Sequence, residues 1–382
     1  MKTTELKIAA MTLLAGGLTY AQPPVNPSVP QPDPPPSTFT LELVKTPDAE
    51  LFSREGVERS MRKAADFGLT TFTQPGRNEW VRSTFYAGVM ATYYTTSDTR
   101  YLDAATSWAQ SVNFTTATRD KGRADNQCCG QVYCELYMAK KDPRMLETIR
   151  ASFDEMARQR PRGRAEWWWC DALFMAPTVM VRLTDVTGDP KYVQQMHEMY
   201  WDSWDFLFDR NENLFYRDQN YFYVRTMANC QKIFWSRGNG WVIAGLARIL
   251  PYLPQDDPHR ARYVDLYVKM ASRLAGLQRA DGLWRSSLLD ADEYPFPESS
   301  GTGFFTFALA WGINNGLLDR EQYLPVVKKG WRGLNSVITS DGMVGYVQQI
   351  AGAPGFVRPD QTQEYAVGAF LLAGSEVAKL KM

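Results

Sequence analysis

Histidine is almost missing from this chain: 382 residues contain two, His197 and His259. Both fall on polar positions of amphipathic helical segments, which predicts an outer placement for each. That supply argues against a Ser-His-Asp or Cys-His site and against a histidine-rich metal centre. Cysteine is also scarce. Cys128, Cys129, Cys134, Cys170 and Cys230 are odd in number, widely spread, and form no CxxC pair. Most sit among apolar or aromatic neighbours, so small core residues are the expectation, with one unassigned disulfide left open. Charge of one sign is lacking too, since 42 Lys and Arg balance 42 Asp and Glu. No basic run occurs, so nucleic acid is not an expected partner. No apolar run is long enough to span a bilayer, so no membrane association is expected. A phosphate-binding glycine loop is missing as well. The "GNG" of Gly238 to Gly240 is too short for a dinucleotide fingerprint and follows no strand. No metal and no cofactor are expected.

The chain is rich in aromatic rings, with 12 Trp and 19 Tyr. Flat rings suit the C–H faces of sugars, although any one of them can equally be core. Residues 1–21 read as an export leader: Lys2 and Lys7 precede "IAAMTLLAGGL", and "TYA" suits cleavage before Gln22. Residues 22–37, "QPPVNPSVPQPDPPPS", read as an extended proline-rich linker. No second linker follows, so 38–382 is expected to be a single domain, periplasmic or secreted, and a monomer or weak homodimer.

Helical periods dominate that domain. "WVRSTFYAGVMATYYTTSD" places Phe85, Val89 and Tyr93 on one face, and "TRYLDAATSWAQSV" begins another helix after a short turn. An apolar helix, a turn with Asp or Gly, and an amphipathic helix recur at spacings of about 45 residues upward, the range of helix-pair repeats. Between pairs, "NENLFYRD", "ADGLWRSS" and "SDGMVGYV" each give a turn and a short extended piece. Closing the pairs into a ring would gather these loops on one face. The expected fold is all-α, an (α/α)6 barrel, with an open helical solenoid as the competing architecture.

With histidine nearly absent, carboxylates in aromatic surroundings carry the candidate chemistry. In "WWWCDALFMAP", Asp171 opens the first helix of a pair behind Trp167, Trp168 and Trp169. It is either an N-cap accepting backbone N–H groups or an acid whose pKa burial has raised. Asp125, in "RADNQCCGQVYCELY", holds the same relation to its own helix, with the same two readings. In "FWSRGNGWVIAGL", Arg237 and Trp241 lie four apart. They can form a guanidinium-and-ring pair for a sugar carboxylate, or an arginine on a backbone carbonyl beside a core tryptophan. Glu298 in "YPFPESSGTGFF" reads slightly better as a helix cap than as part of a rim.

Taken together, "WWWCDALFMAP", "WSRGNGWV", "DGLWRSSLLD", "ESSGTGFF" and "YAVGAFLLAGSEV" resemble the glycoside hydrolase family 105 proteins, the unsaturated rhamnogalacturonyl hydrolases. The likeness runs from Trp80 to the C-terminus. The resemblance implies an (α/α)6 barrel acting on oligosaccharides that carry a 4,5-unsaturated uronic acid at the non-reducing end. It also implies that an aspartic acid protonates C4 of the double bond while water adds at C5. Position by position, it implies that Asp171 is that acid, with Trp169 beside it, and that Asp125 holds hydroxyls or water. Arg237 and Trp241 match a uronate-binding pair, and Tyr86 of "FYAG" matches an aromatic position at the mouth. Arg217 stands where many relatives have histidine, and is taken as substrate-binding. Asn126 replaces a second acid, and "RPRGRAEWWW" lacks a further histidine. These departures bear on the sugar next to the uronate, so an unsaturated glucuronyl hydrolase acting on ulvan or glycosaminoglycan products is an alternative. A sugar epimerase or isomerase and a non-catalytic carbohydrate-binding protein on the same barrel are the others.

Overall fold

The computed structural model describes residues 46–117, 123–159 and 162–381. The leader and linker expected at 1–21 and 22–37 lie outside them. Among the described residues, twelve helices of eleven residues or more form two concentric rings. In chain order they are α1 (Arg54–Thr71), α2 (Trp80–Thr96), α3 (Thr99–Ser111), α4 (Gly130–Lys140), α5 (Arg144–Gln159) and α6 (Pro177–Thr187). There follow α7 (Lys191–Leu207), α8 (Ser236–Ile249), α9 (Arg260–Ala275), α10 (Ser299–Asn314), α11 (Arg320–Asn335) and α12 (Glu364–Val377). Even-numbered helices are inner and odd-numbered helices are outer. Each inner helix packs on the next, and α12 packs back on α2, so the ring closes.

The two rings differ because their surroundings differ. An inner helix touches protein on every side, so it must be apolar all round. Every residue of α8 and α12 is buried. An outer helix needs only one apolar stripe, and α5 buries Met145, Leu146, Ile149, Phe153 and Met156 at helical spacing. Inner-to-outer turns are tight. Ser97, Lys141 and Gly188 end α2, α4 and α6 in the left-handed conformation, which stops the helix within one residue. Asp98 and Asp319 then cap α3 and α11 through backbone N–H groups.

Closure uses a helix that the repeat pattern did not pair. Among the described residues no outer helix follows the last inner helix, α12; α1 packs against it instead. The seam between α2 and α12 is close because Gly88 and Gly368 face each other. A Cβ on Gly88 would lie 2.8 Å from the Gly368 Cα. A side chain at either position would push the two helices apart and open the ring.

The outer-to-inner loops gather at the N-terminal mouth, as the ring requires. Phe208–Asp209 pairs antiparallel with Leu214–Phe215, and bridges join Trp235 to Ser287, Arg285 to Pro297 and Ile338 to Val344. Both histidines take the outer placement expected, on α7 and at the start of α9, but His197 does not sit at a polar surface position. His197 on α7 is buried, with Nδ1 3.1 Å from the Tyr263 hydroxyl and Nε2 3.1 Å from Asp257 Oδ2. Its ring stacks on His259 at 4.2 Å. Those partners come from the start of α9 and the loop before it, so the sequence around His197 gave no sign of them. All five cysteines are free, and Cys230 alone is exposed. Among the described residues no helix is long and apolar enough to cross a membrane, and no cluster could hold a metal ion.

Candidate active site

Each of the two aspartates opens a single helical turn just ahead of an inner helix. Asp125 lies in Ala124–Gln127, before α4, and Asp171 precedes Ala172–Met175, before α6. These two turns pack on each other. The capping reading of Asp171 fails on geometry. It occupies the N-cap position, but its side chain accepts no cap hydrogen bond. For Asp125 the cap position belongs to Arg123, and no side chain caps that turn either. Glu298 behaves oppositely and caps α10 through the N–H groups of Ser300 and Gly301.

Freed from capping, both carboxylates answer to their surroundings. Asp171 keeps 13 % of its side-chain surface. Burial raises its pKa, while the charges of Arg217 and then Arg237 pull it back. Its remaining close neighbours are the Cys170 thiol, which donates to Oδ2 at 3.5 Å, and Arg217 Nε at 4.0 Å. Asp125 is pushed up to about 7, first by burial; Arg123 opposes this and the Asp171 charge adds to it. Asp125 therefore senses the Asp171 charge, and each carboxylate binds a proton more readily than an exposed aspartate does.

The tryptophan triplet divides three ways. Trp167 is wholly buried in the core, and its carbonyl accepts from Ser203 Oγ at 3.0 Å. Trp169 is 4 % exposed, and the Arg123 guanidinium lies over its ring at 5.6 Å. Trp168 is 38 % exposed, with Arg217 over its ring at 5.1 Å. The triplet's strand of chain is pinned by Cys170 N–H donating to the Arg217 carbonyl at 2.9 Å. Arg217 thus joins Asp171 to Trp168. Its Nη1 donates to Asp218 Oδ2 at 2.6 Å, while its Nε, the atom nearest Asp171, is buried and makes no hydrogen bond among the described residues.

"WSRGNGW" proves to be the hub beneath this mouth. Arg237 donates from Nη1 to the Gln348 carbonyl at 2.7 Å and from Nη2 to the Gln349 carbonyl at 2.9 Å. The Trp235 and Tyr365 rings lie at 4.4 and 4.7 Å from its guanidinium carbon. Asn239 holds the other loop, accepting from Phe215 N–H at 2.8 Å and donating to its carbonyl at 3.0 Å. Gly238 leaves room for Cys170, since a Cβ there would lie 3.1 Å from its sulfur. The expected pairing of Arg237 with Trp241 needs correction. Trp241 is 1 % exposed and packs on Phe174, Phe304 and Trp80 in the core, so it leaves no ring face free for a sugar. Arg237 sends its Nη donors to carbonyls, and what reaches Asp171 is its charge.

Tyr86 stacks on Trp108 at 4.3 Å, and its hydroxyl has no partner among the described residues. Sequence reasoning passed over Arg123, whose Nε is 4.0 Å from Asp125 Oδ2. Its position two residues before the aspartate was the available signal. It also passed over the buried pair of Arg82 and Glu364, with Nε–Oε2 at 2.5 Å, which ties α2 to α12. Those residues are 282 apart in sequence, so no local pattern could join them.

Comparison with known proteins fixes the family. The model of Glycosyl Hydrolase Family 88 matches residues 53–381. The chain belongs to that family. It is a glycoside hydrolase. A protein named unsaturated 3S-rhamnoglycuronyl hydrolase, from Formosa agariphila, is 42 % identical over 79 % of this chain and 85 % of its own length. A relative of the same name from Alteromonas sp. is 36 % identical over 78 % of this chain and 77 % of its own. Among solved structures, a family 88 glycosyl hydrolase from Bacteroides vulgatus covers 86 % of this chain and 99 % of its own (TM-score 0.80, 30 % identity). A chain described as a polysaccharide lyase covers 85 % and 97 % (TM-score 0.81, 34 % identity).

Proposed function

We propose that this glycoside hydrolase removes 4,5-unsaturated uronic acid from the non-reducing end of lyase-generated oligosaccharides, and that its finer kinship is with family 105. The sugar following the uronate in our reading is a rhamnose, as the names of both curated relatives suggest for those proteins. The observation that carries the reading is the pair Asp171 and Asp125. They are uncapped, mutually close and raised in pKa, at the mouth of an aromatic-lined barrel.

In this reading protonated Asp171 gives its proton to C4 of the C4=C5 bond, and water adds its oxygen at C5. The carboxylate then takes the proton that water loses and returns to the acid form. The C5 hemiketal opens and the aglycone leaves. Hydration does not need two carboxylates flanking the anomeric carbon, which ordinary glycoside hydrolysis does. The charges of Arg217 and Arg237 offset the uronate carboxylate, Trp168 offers a face to the ring beyond it, and the free Tyr86 hydroxyl reaches a sugar hydroxyl. A second reading exchanges the two acids, and Asp125 at about 7 favours it. Asp125 would then carry the proton, and Asp171, beside Arg217, would work as the base. We also place the protein outside the cytoplasm, cleaved before Gln22, which N-terminal sequencing of the exported chain checks.

The deciding experiment follows the ultraviolet absorbance of the conjugated double bond. Substrates are lyase-generated disaccharides from ulvan, with and without sulfate on rhamnose, and from pectin and glycosaminoglycans. Absorbance should fall with the rhamnose-containing products. A rise on intact polysaccharide would indicate a lyase, and no change with any substrate would end the proposal. Asp171→Asn and Asp125→Asn then separate the two readings. The acid's variant loses turnover at every pH, whereas loss of a base or holder shifts the profile and leaves residual turnover.

A further inference from the structure

The inner helices have a second mouth at their C-terminal ends, opposite the carboxylate pair. A cavity of about 450 Å³ occupies it. Its floor is an ionic cluster contributed by three inner helices: Glu135 on α4, Arg182 on α6 and Arg248 on α8. Glu135 Oε1 accepts from Arg182 Nε at 3.2 Å, from Arg182 Nη2 at 3.1 Å and from Arg248 Nη2 at 2.8 Å. Arg182 Nη1 donates to the Thr178 and Arg248 carbonyls, and Arg248 Nε donates to Gln131 Oε1.

After these bonds two ends remain. Glu135 Oε2 and Arg248 Nη1 have no partner among the described residues, on side chains only 7 % and 8 % exposed. Both groups open onto the cavity rather than into closed protein, so water or a ligand satisfies them there. One free end accepts and the other donates. The cavity around them is walled by rings: Tyr94 stands 55 % exposed at its lip, and Tyr252 lies over Arg182 at 4.4 Å.

The charge of the cluster narrows the ligand. Two guanidinium groups and one carboxylate leave one positive charge, to which the paired Glu376 and Lys379 on the same lining add none; alone it would invite an anion. The six inner helices, however, direct their C-terminal, negative dipole ends toward this mouth, and Arg182 Nη1 already rests on the Arg248 carbonyl at the end of α8. That excess charge is answered within the protein. What is left is an acceptor beside a donor under aromatic rings, a pattern matched by two neighbouring hydroxyls on a pyranose. We propose that this far mouth is a second carbohydrate-binding site for one neutral pyranose ring, separate from the catalytic mouth. Its vicinal diol bridges Glu135 Oε2 and Arg248 Nη1, and its C–H face rests on the tyrosine lip. Cavities of this size hold small ligands elsewhere.

The test is saturation-transfer NMR on the full-length protein with L-rhamnose, and with D-glucuronate as the charged comparison. Two variants are needed, Tyr94→Ala and Ala91→Phe; Ala91 lines the cavity, so the larger ring fills it. Rhamnose should bind saturably. Tyr94→Ala should weaken binding about fivefold, the scale of one lost ring contact, and Ala91→Phe should abolish it. Both should keep kcat/KM on the unsaturated disaccharide. Should Ala91→Phe fail to fold, Tyr94→Ala decides, because its side chain is exposed. Rhamnose binding untouched by these variants and lost on Asp171→Asn would place the sugar at the catalytic mouth and overturn the proposal. Tighter binding of glucuronate than of rhamnose would overturn the neutral-sugar assignment.

Discussion

Asp125→Asn should stabilise the protein, and by an amount that grows with pH. Burial and the neighbouring Asp171 lift the Asp125 pKa from its ordinary 3.8 to about 7. Between those values the folded protein holds a proton that the unfolded chain has released. Wild-type stability therefore falls as pH rises through this window, and levels off above it. Each tenfold change in proton affinity is worth ~1.4 kcal/mol. The ionised carboxylate then costs the fold ~4 kcal/mol at pH 8 and only ~0.5 kcal/mol at pH 4. Because 23 % of the side chain meets solvent, some of that is screened, and a gain of ~2–4 kcal/mol between the two pH values is the working expectation. Asparagine keeps the shape and removes the titration. Urea unfolding followed by tryptophan fluorescence, at pH 4 and pH 8, reads the difference between variant and wild type directly. In an Asp171→Asn background the gain should shrink, because the like charge that adds to the shift is gone. A stability difference that stays flat from pH 4 to pH 8 would refute the raised Asp125 carboxyl, and with it the second reading, in which Asp125 carries the proton.

Arg217→Gln should move the alkaline limb of the kcat/KM profile to higher pH, since the Arg217 charge holds the Asp171 pKa down; a limb that does not move would remove Arg217 from the acid's surroundings. Trp168→Ala should raise KM about three- to tenfold with kcat little changed, as expected for a ring that binds substrate and transition state alike. Steady-state kinetics separate the two constants. Glu364→Gln strands the Arg82 guanidinium, which is 4 % exposed, and should cost ~3–5 kcal/mol in a denaturant titration.

The candidate site was legible in part, and the limit lay in distance along the chain. Asp171 and Asp125 stood out because each opens a helical turn beside cysteine and aromatic residues. Whether such a carboxylate caps or stays free depends on side-chain geometry that type and spacing leave open. Glu298, in a similar sequence setting, does cap. The pairing of Arg237 with Trp241 rested on helical spacing alone. Spacing places two residues on one helix but not the chain segments packed against it. Gln348 and Gln349 claim the arginine donors from more than a hundred residues away, and Phe174 and Phe304 enclose the tryptophan. The burial of His197 on its outer helix was illegible for the same reason, since Asp257 and Tyr263 meet it from another helix pair.

The alternation of helix types was set by the sequence alone, because a helix buried all round and a helix buried on one face need different residue patterns. That alternation was enough to predict a double ring and to put the loops, and both aspartates, at one end. Tertiary structure settled what no periodic pattern encodes: that α1 completes the last pair, and that Gly88 meets Gly368 at the seam. It also settled that Trp167, Trp168 and Trp169 go to core, surface and wall, and that the two carboxylates share one low-dielectric mouth. Those outcomes depend on groups brought together from distant parts of the chain, and proton affinity in particular is a property of the assembled surroundings rather than of the residue.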